Sequence, residues 1–153
     1  MTANADLRPE SVVIRRLLPS DAKDAADLSA ELGYPIPVDA MEARLKQFAE
    51  MEDHAVFAAC LKDRVVAWID VGIVHHLQSP TYGEIGGFIV SRSHQGRGIG
   101  KRLVETAEEW TVSRRATKIL VRSQIAREAA QAFYLGRNFS RVKTSAVFMK
   151  SLE

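Results

Sequence analysis

The residue types best suited to chemistry lie in a glycine-rich turn in the middle of the chain. This glycine turn, Gln95-Gly96-Arg97-Gly98-Ile99-Gly100-Lys101, places three glycines at alternate positions directly before an amphipathic segment. Glycine lets the backbone approach a bulky anion closely and turn its N–H groups toward it. The first N–H groups of a following helix have no intrahelical acceptor, and they lie at the positive end of the helix dipole. The pattern therefore predicts an anion site.

Positive side chains around the turn favour the same interpretation. Arg97, Lys101 and Arg102 lie at or just inside the predicted helix N-terminus, and Arg92 precedes it. Cations at this end oppose the helix dipole, whereas a bound phosphate group would reverse the sign of that effect. A solvated basic patch beside an ordinary loop is the alternative. The spacing fits neither the G-x-G-x-x-G dinucleotide fingerprint nor the G-x-x-x-x-G-K-[ST] triphosphate loop.

The elements that flank the turn predict how it is held. A strand over Tyr82–Val90 runs into it, and a helix over Gly98–Arg115 follows, with apolar residues aligned on one face. Lys62-Asp63-Arg64 has the composition of a tight hairpin turn. Further strands are predicted at Val12–Leu17, His54–Leu61, Val65–His76, Thr117–Arg122 and Val142–Lys150, and further helices from the cap Ser20 to Leu32, at Val38–Glu50 and at Ala126–Gly136.

This order of elements favours an α/β protein with one three-layer domain, in which helices flank a mixed central β-sheet. We expect a flexible N-terminus over residues 1–11 and a single domain over residues 12–153. The formal net charge of +2 argues against a general nucleic-acid binder, which needs a broad basic face. Cys60 is the single cysteine, so an intrachain disulfide is excluded, and no residue group has metal-ligand spacing. The polar start and the absence of an apolar stretch of ~20 residues predict a cytoplasmic protein without a membrane span.

The glycine turn resembles the acyl-CoA signature [Q/R]-x-x-G-x-[G/A] of the GNAT (GCN5-related) N-acetyltransferases, and Gln95–Gly100 meets every position. The order of the elements is similar to that family along nearly the whole chain. Ala130–Tyr134 followed by Asn138-Phe139 also resembles a stretch near the end of family members. Asn138 stands where relatives usually carry glycine, and asparagine is the next most tolerant residue of left-handed backbone angles. Arg127 stands where many relatives carry asparagine.

The resemblance implies acetyl-CoA as the donor substrate, with no metal. It implies Tyr134 as the acid that donates to the CoA sulfur, and a backbone N–H on the strand Phe88–Val90 as the donor to the thioester oxygen. For the general base we expect Glu84, acting directly or through a water, because it is an acid within an apolar strand just before the turn. The implied donor-binding residues are Phe88, Ile89, Val90, Gln95, Gly96, Arg97, Gly98, Ile99, Gly100, Lys101 and Arg127.

The implied reaction is direct transfer of an acetyl group to a primary amine of a small molecule or peptide within a ternary complex. A non-catalytic acyl-CoA-binding sensor or regulatory module is the alternative. The family also allows a homodimer. An acidic region suggests a cationic acceptor such as an aminoglycoside, a polyamine or a lysine, although acidic solvated helices are equally ordinary; its residues are Glu31, Asp39, Glu42 and Glu50. Weaker site candidates are Tyr34, Cys60, Asp70, His75 and His76.

Overall fold

The computed structural model describes residues 11–153. The predicted flexible N-terminus therefore lies, except for Ser11, outside the described residues. The chain forms two compact units, the first ending at Arg122 and the second spanning Ser123–Glu153.

A five-stranded mixed sheet forms the centre of the first unit. Its strands are β1 (Val13–Arg16), β2 (His54–Leu61), β3 (Arg64–Val74), β4 (Tyr82–Val90) and β5 (Ile119–Val121), and their spatial order follows the chain. The first four strands pair antiparallel, whereas β5 is parallel to β4. A parallel pair needs a crossover connection, and the helix after the glycine turn provides it.

Three helices cover this sheet: α1 (Ala22–Glu31), α2 (Val38–Ala49) and α3 (Ile99–Ser113). Helices α1 and α2 share a hydrophobic core with Val56 and Ala58 of β2, which point to one face of the sheet. Helix α3 packs on the other face, where a Cβ on Gly83 would lie 2.6 Å from the Thr111 hydroxyl. The predicted three-layer arrangement, a mixed sheet flanked by helices, is confirmed.

Two of the turn conformations expected from the sequence are present in the structure, and one expected helix cap is not. Lys62 and Asp63 have positive φ angles of 50° and 66°, which form the predicted tight hairpin turn. Asn138 has a φ of 69°, the left-handed conformation expected there. Ser20 does not cap α1, because a short 3-10 turn over Pro19–Asp21 precedes that helix. Asp21 instead accepts the backbone N–H of Leu18 at 2.8 Å.

The second unit contains α4 (Glu128–Gly136) and an extended C-terminal segment, residues 140–153. The predicted strand over Val142–Lys150 is wrong, since this segment forms neither helix nor strand. A β-strand is stabilised by hydrogen bonds to a neighbouring strand, and none of the described strands pairs with this segment. Its large apolar side chains, among them Phe148 and Met149, are exposed.

Candidate functional site

The glycine turn connects β4 to α3 through two left-handed residues. Gly96 and Gly98 have φ angles of +76° and +83°, a conformation that side chains oppose, and Gly98 is the residue before the first turn of α3. The Gln95 side chain donates a hydrogen bond from Nε2 to the Val90 carbonyl at 3.1 Å, which ties the turn to the end of β4. No side-chain hydrogen bond caps this end of α3 among the described residues. The first N–H groups of α3 therefore remain suited to an anion.

The cations around the turn differ in what they contact. Arg102 donates from Nη1 to the Val12 carbonyl at 2.8 Å, so it points toward the start of β1. Lys101 lies 4.0 Å from Glu105, and both side chains are more than half exposed. Burial and the positive charge of Arg97 both lower the pKa of His94. Arg97 and Lys101 are therefore the side chains that keep positive charge at the turn.

Ile99 has a different role from its neighbours in the turn. Its side chain is 1% exposed and belongs to the core under α3, so only its backbone N–H can serve a ligand. Gly96 has no other atom within 4 Å of an added Cβ. A left-handed backbone, rather than lack of space, therefore explains glycine at position 96.

The end of β4 extends beyond its pairing with β5. The parallel pairing between β4 and β5 covers only Gly83–Ile85, although β4 continues to Val90. We call Gly86–Val90 the open strand segment. It pairs with β3 on one side, and on the other side no strand of residues 11–153 pairs with it. Such an edge can bind an extended ligand by main-chain hydrogen bonds, and it leads directly into the glycine turn.

A β-bulge interrupts the pairing of β4 with β3 at the start of the open strand segment. Asp70 alone stands opposite two residues, Gly86 and Gly87. The Asp70 Oδ2 atom accepts the N–H of Gly87 at 2.7 Å, and the N–H of Gly86 also donates to this carboxyl group. A bulge disrupts the regular ladder of backbone hydrogen bonds, so here a side chain serves as the acceptor.

Three titratable side chains share one face of the sheet around this bulge. His54 and Glu84 both lie opposite Gly72, and Asp70 is on the same face of β3 as Gly72. We call this region the carboxylate face. The His54 ring covers Gly72, where a Cβ would lie 2.5 Å from Nε2. The Glu84 side chain is 26% exposed and accepts a hydrogen bond from Arg122 Nε at 3.2 Å.

The carboxyl group of Asp70 is held in an unusual environment. Burial raises its pKa, and the negative charge of Glu84 adds to that rise. The N–H groups of the bulge and the neighbouring His54 act in the opposite direction, but burial dominates. Sequence reasoning ranked Asp70 as a weak candidate and missed His54 and Arg122. The adjacent glycines in a strand were the available signal of a bulge.

The second unit contains Tyr134 and Arg127. Tyr134 is half-buried between two aromatic rings, with centroids 5.5 Å from Phe133 and 5.6 Å from Phe139. Burial raises the pKa of its hydroxyl group, and the charge of Arg127 partly offsets this rise. A raised pKa keeps the phenol protonated at neutral pH and therefore able to donate a proton. Arg127 itself is exposed and precedes the first turn of α4.

The weaker candidates have ordinary surroundings. His75 and His76 are exposed and lie close to Thr81 and Tyr82, at 3.1 and 3.2 Å, as surface histidines do. Cys60 is buried, and burial raises the pKa of its thiol, which disfavours the reactive thiolate. Within residues 11–153, no cluster of three or more His, Cys, Asp or Glu side chains could hold a metal ion. None of the described helices is long and apolar enough to span a membrane.

Comparison with known proteins identifies the family. A family model described as Acetyltransferase (GNAT) family matches residues 23–139, and the chain belongs to that family. An aminoglycoside N(6')-acetyltransferase type 1 of Stenotrophomonas maltophilia is 28% identical over 145 residues, 92% of this chain and 94% of that protein. The resemblance inferred from the glycine turn is confirmed.

Solved structures share the fold. AAC(6')-Iy in complex with a bisubstrate analogue, CoA-S-monomethyl-acetylneamine, gives a TM-score of 0.81 at 18% identity, covering 92% of this chain and 98% of that one. A transcriptional regulator from Bacillus halodurans C-125 gives a TM-score of 0.81 at 22% identity, with coverages of 91% and 99%. The protein is thus an N-acetyltransferase of GNAT fold.

Proposed function

We propose that the protein acetylates a primary amine of a polycationic amino sugar of the aminoglycoside type. The observation that carries this proposal is the carboxylate face, where Asp70 and Glu84 lie beside the open strand segment. Two neighbouring carboxylates repel each other, and an alkyl ammonium group between them would relieve that repulsion. The name of the Stenotrophomonas maltophilia relative, similar over 92% of this chain, supports the same acceptor class.

The acidic helices give this proposal less support than the carboxylate face does. Glu31 accepts the backbone N–H of Arg92 at 2.6 Å, and Glu42 pairs with Lys46 at 3.1 Å. Both carboxylates have partners within the protein, as Glu84 has in Arg122, and they lie on α1 and α2 and not on the strands of the carboxylate face. Tyr34 is 63% exposed in the connection between α1 and α2, where it can contribute to the mouth of an acceptor site.

The donor would lie along the glycine turn and the open strand segment. The left-handed glycines and the uncapped start of α3 suit the pyrophosphate, with Arg97 and Lys101 as counter-charges. Backbone groups of Phe88–Val90 suit the extended arm of the molecule and the thioester oxygen. When bound, acetyl-CoA supplies the acyl group as an activated thioester.

Transfer would be direct, with donor and acceptor bound together. An alkyl ammonium with a reference pKa near ~10.4 must lose a proton before its nitrogen can form the new bond to carbon. In our proposal Glu84 takes up that proton, directly or through a water. The carbon–sulfur bond breaks as the carbon–nitrogen bond forms, and the Tyr134 hydroxyl protonates the departing thiolate. The nitrogen then gives up its remaining excess proton, which restores the Tyr134 hydroxyl and leaves the neutral amide.

The proposed role of Tyr134 predicts a specific kinetic change. Replacement Tyr134→Phe keeps the ring contacts to Phe133 and Phe139 and removes only the hydroxyl group. We expect kcat to fall about 10²-fold while CoA affinity is retained. An unchanged kcat would assign Tyr134 to packing alone.

The acceptor is tested by measuring thiol release from acetyl-CoA with a panel of amines. The panel contains an aminoglycoside with a 6'-amino group, its matched analogue with a 6'-hydroxyl, a linear polyamine and a lysine peptide. We expect the first to give the largest kcat/KM and its hydroxyl analogue to give little turnover. Preference for the polyamine or the peptide would overturn the aminoglycoside assignment. CoA binding without turnover on any amine would favour the sensor alternative.

The C-terminal segment leads us to include a homodimer in the proposal. Val142, Val147, Phe148, Met149 and Leu152 are between 80% and 95% exposed. Exposed apolar side chains in such a number are unfavourable in water and usually mark a contact surface. A second copy of the chain could cover them, because a two-fold contact brings the same segment from each copy to one interface.

Sedimentation velocity of the full chain at micromolar concentrations tests this association. We expect a dimer for the wild type and a monomer for the double replacement Val147→Lys and Phe148→Lys, which adds charge to the segment. The matched control is Val112→Lys, also at an exposed apolar residue, on α3. A monomeric wild type, or a dimer that persists in the double variant, would contradict the homodimer.

A further inference from the structure

The Asp70 carboxyl group replaces a strand as hydrogen-bond partner of the bulge in β4. It accepts the N–H of Gly87 at 2.7 Å, and the N–H of Gly86 donates to it as well. These two amides lie at the start of the open strand segment, directly before Phe88–Val90. The Gly87 N–H is therefore committed to Asp70, and donors to a thioester oxygen must come from further along the strand.

The sequence of β4 leaves room for this side chain. A Cβ added to Gly86 would clash with Asp70 Oδ1, and one added to Gly87 would lie 3.0 Å from Oδ2 and 2.7 Å from the Trp68 ring. Neither glycine has a left-handed backbone. Space for the carboxyl group, rather than backbone conformation, thus explains the glycine pair.

The bulge also determines which side chains of β4 lie on the carboxylate face of the sheet. Glu84 lies opposite Gly72 and Ile89 opposite Trp68, and Gly72 and Trp68 are on one face of β3. Without an extra residue, positions 84 and 89 would face opposite sides of the sheet, because side chains alternate along a strand. The bulge lets Glu84 face the site while Ile89 fills the core under α1 and α2.

An ionisable side chain at position 70 is energetically unfavourable. Burying a carboxylate is unfavourable unless hydrogen bonds compensate, and here burial outweighs those bonds. An apolar residue at position 70 would avoid that cost but would leave the amides of Gly86 and Gly87 without this acceptor. The arrangement therefore favours a role in the site over a role in stability.

We propose that Asp70 is a positioning residue, which locks the β4 bulge and thereby fixes the register of Phe88–Val90 for the acyl donor. This inference rests on the proposed placement of acetyl-CoA along that segment. It assigns Asp70 no proton transfer. Its removal should therefore weaken donor binding more than it slows the chemical step.

The test measures CoA dissociation constants by calorimetry and steady-state kinetics for acetyl-CoA. For Asp70→Ala we expect affinity for CoA to weaken about 10-fold to 100-fold, the range for loss of hydrogen bonds to a charged acceptor. KM for acetyl-CoA should rise by a similar factor, while kcat at saturation changes less than threefold, about 0.6 kcal/mol. Asp70→Asn keeps one oxygen acceptor for Gly87 and should show a smaller effect. The matched control is Asp27→Ala, an exposed acid on α1 paired with Lys23.

A double-mutant cycle with Gly86→Ala separates positioning from general destabilisation. Gly86 is exposed, so alanine removes no buried contact there, but its Cβ displaces the Asp70 carboxyl group. We expect Gly86→Ala to weaken CoA binding by itself and to add nothing in the Asp70→Ala background. If the two replacements changed CoA affinity additively, the positioning role of Asp70 would be overturned, because the two residues would then act independently.

Two further results have distinct meanings. Wild-type CoA affinity in a folded Asp70→Ala variant would overturn the inference and leave the proposed function intact. A kcat loss of about 100-fold or more at saturating amine, with unchanged CoA affinity, would also overturn it, since Asp70 would then act in the chemical step and not in donor binding. Failure of the wild type itself to bind CoA would instead contradict the placement of the donor. If Asp70→Ala does not fold, Asp70→Asn and Gly86→Ala provide the same comparison.

Discussion

The glycine turn and the carboxylate face meet at β4, yet they are built in opposite ways. In our proposal the turn binds the donor through backbone N–H groups on an exposed loop, and its shape depends on two glycines with positive φ angles. The carboxylate face works through side chains on rigid strands, and Asp70 is held there by burial and by hydrogen bonds. The comparison shows why one region follows a local sequence pattern and the other does not.

The two regions carry charges of opposite sign, and each charge lies where its surroundings are unfavourable to it. Arg97 and Lys101 lie where positive charge opposes the dipole of α3, and Asp70 lies where burial opposes negative charge. Each region is thus less stable alone than with a ligand of opposite charge. In our proposal a phosphate group of the donor satisfies the first and an ammonium group of the acceptor the second, so the two substrates have opposite electrostatic requirements.

The largest expected effect follows from neutralising the carboxylate face without changing its shape. For Glu84→Gln we expect kcat to fall about 10²-fold to 10⁴-fold at neutral pH, because the variant cannot accept the ammonium proton. Affinity for CoA should stay unchanged, since the glycine turn does not depend on this side chain. Stopped-flow or steady-state thiol release and calorimetry measure the two quantities. Glu109→Gln, an exposed isosteric change on α3, is the control; equal kcat in both variants would remove Glu84 from proton transfer.

A smaller effect is expected from changing the backbone of the glycine turn. For the double variant Gly96→Ala and Gly98→Ala we expect CoA binding to weaken by about 30-fold to 10³-fold, because a left-handed residue with a Cβ costs ~1–2 kcal/mol at each of the two positions. The ratio of kcat between amine acceptors should not change. Gly136→Ala is the matched control, since it has free space around an added Cβ and no positive φ. Retained affinity in the double variant would show that the turn does not need this shape.

The smallest effect concerns the pH dependence of folding stability. Burial raises the pKa of Asp70 above that of an unfolded aspartate, so over the interval between the two values the folded chain holds a proton that the unfolded chain has released. Ionisation of Asp70 therefore opposes folding. Relative to Asp70→Asn, the wild type should gain stability as pH falls from 7 toward 4, by at most ~1.4 kcal/mol per pH unit.

Denaturant unfolding of both proteins across that range measures this difference. The other titratable groups facing Asp70 are His54 and Glu84, and Arg122 pairs with Glu84. Repeating the comparison of the wild type with Asp70→Asn in a Glu84→Gln background shows how much of the pH dependence of stability comes from the neighbouring carboxylate. A stability difference that is flat with pH, or that favours Asp70→Asn at low pH, would contradict a buried, disfavoured carboxylate.

The sequence predicted the features that depend on adjacent residues. The bounds of β2 and β4, the left-handed Asn138 and the turn at Lys62-Asp63 all follow from composition within a few positions. The glycine turn belongs to the same class, because its conformation and its proposed role in donor binding both depend on seven consecutive residues.

The features that the sequence did not predict depend on pairing between distant residues. Asp70 meets Gly86 and Gly87 only through the register of β3 and β4, and His54 joins them from a third strand. The strand expected at Val142–Lys150 did not form, because β-propensity alone does not supply a neighbouring strand. Ser20 is not the cap of α1, because a 3-10 turn over Pro19–Asp21 makes Asp21 the residue that precedes this helix.

The contact of Arg102 with the Val12 carbonyl links the start of α3 to a residue 90 positions earlier in the chain. Trimming the N-terminus is consequently not neutral at every point. A truncation that ends before Val12 retains this hydrogen-bond acceptor. One that removes Val12 deletes this acceptor of the Arg102 guanidinium group beside the first turn of α3, at the positive end of the helix. The placement of a positive charge near the glycine turn thus depends partly on the residue that precedes β1.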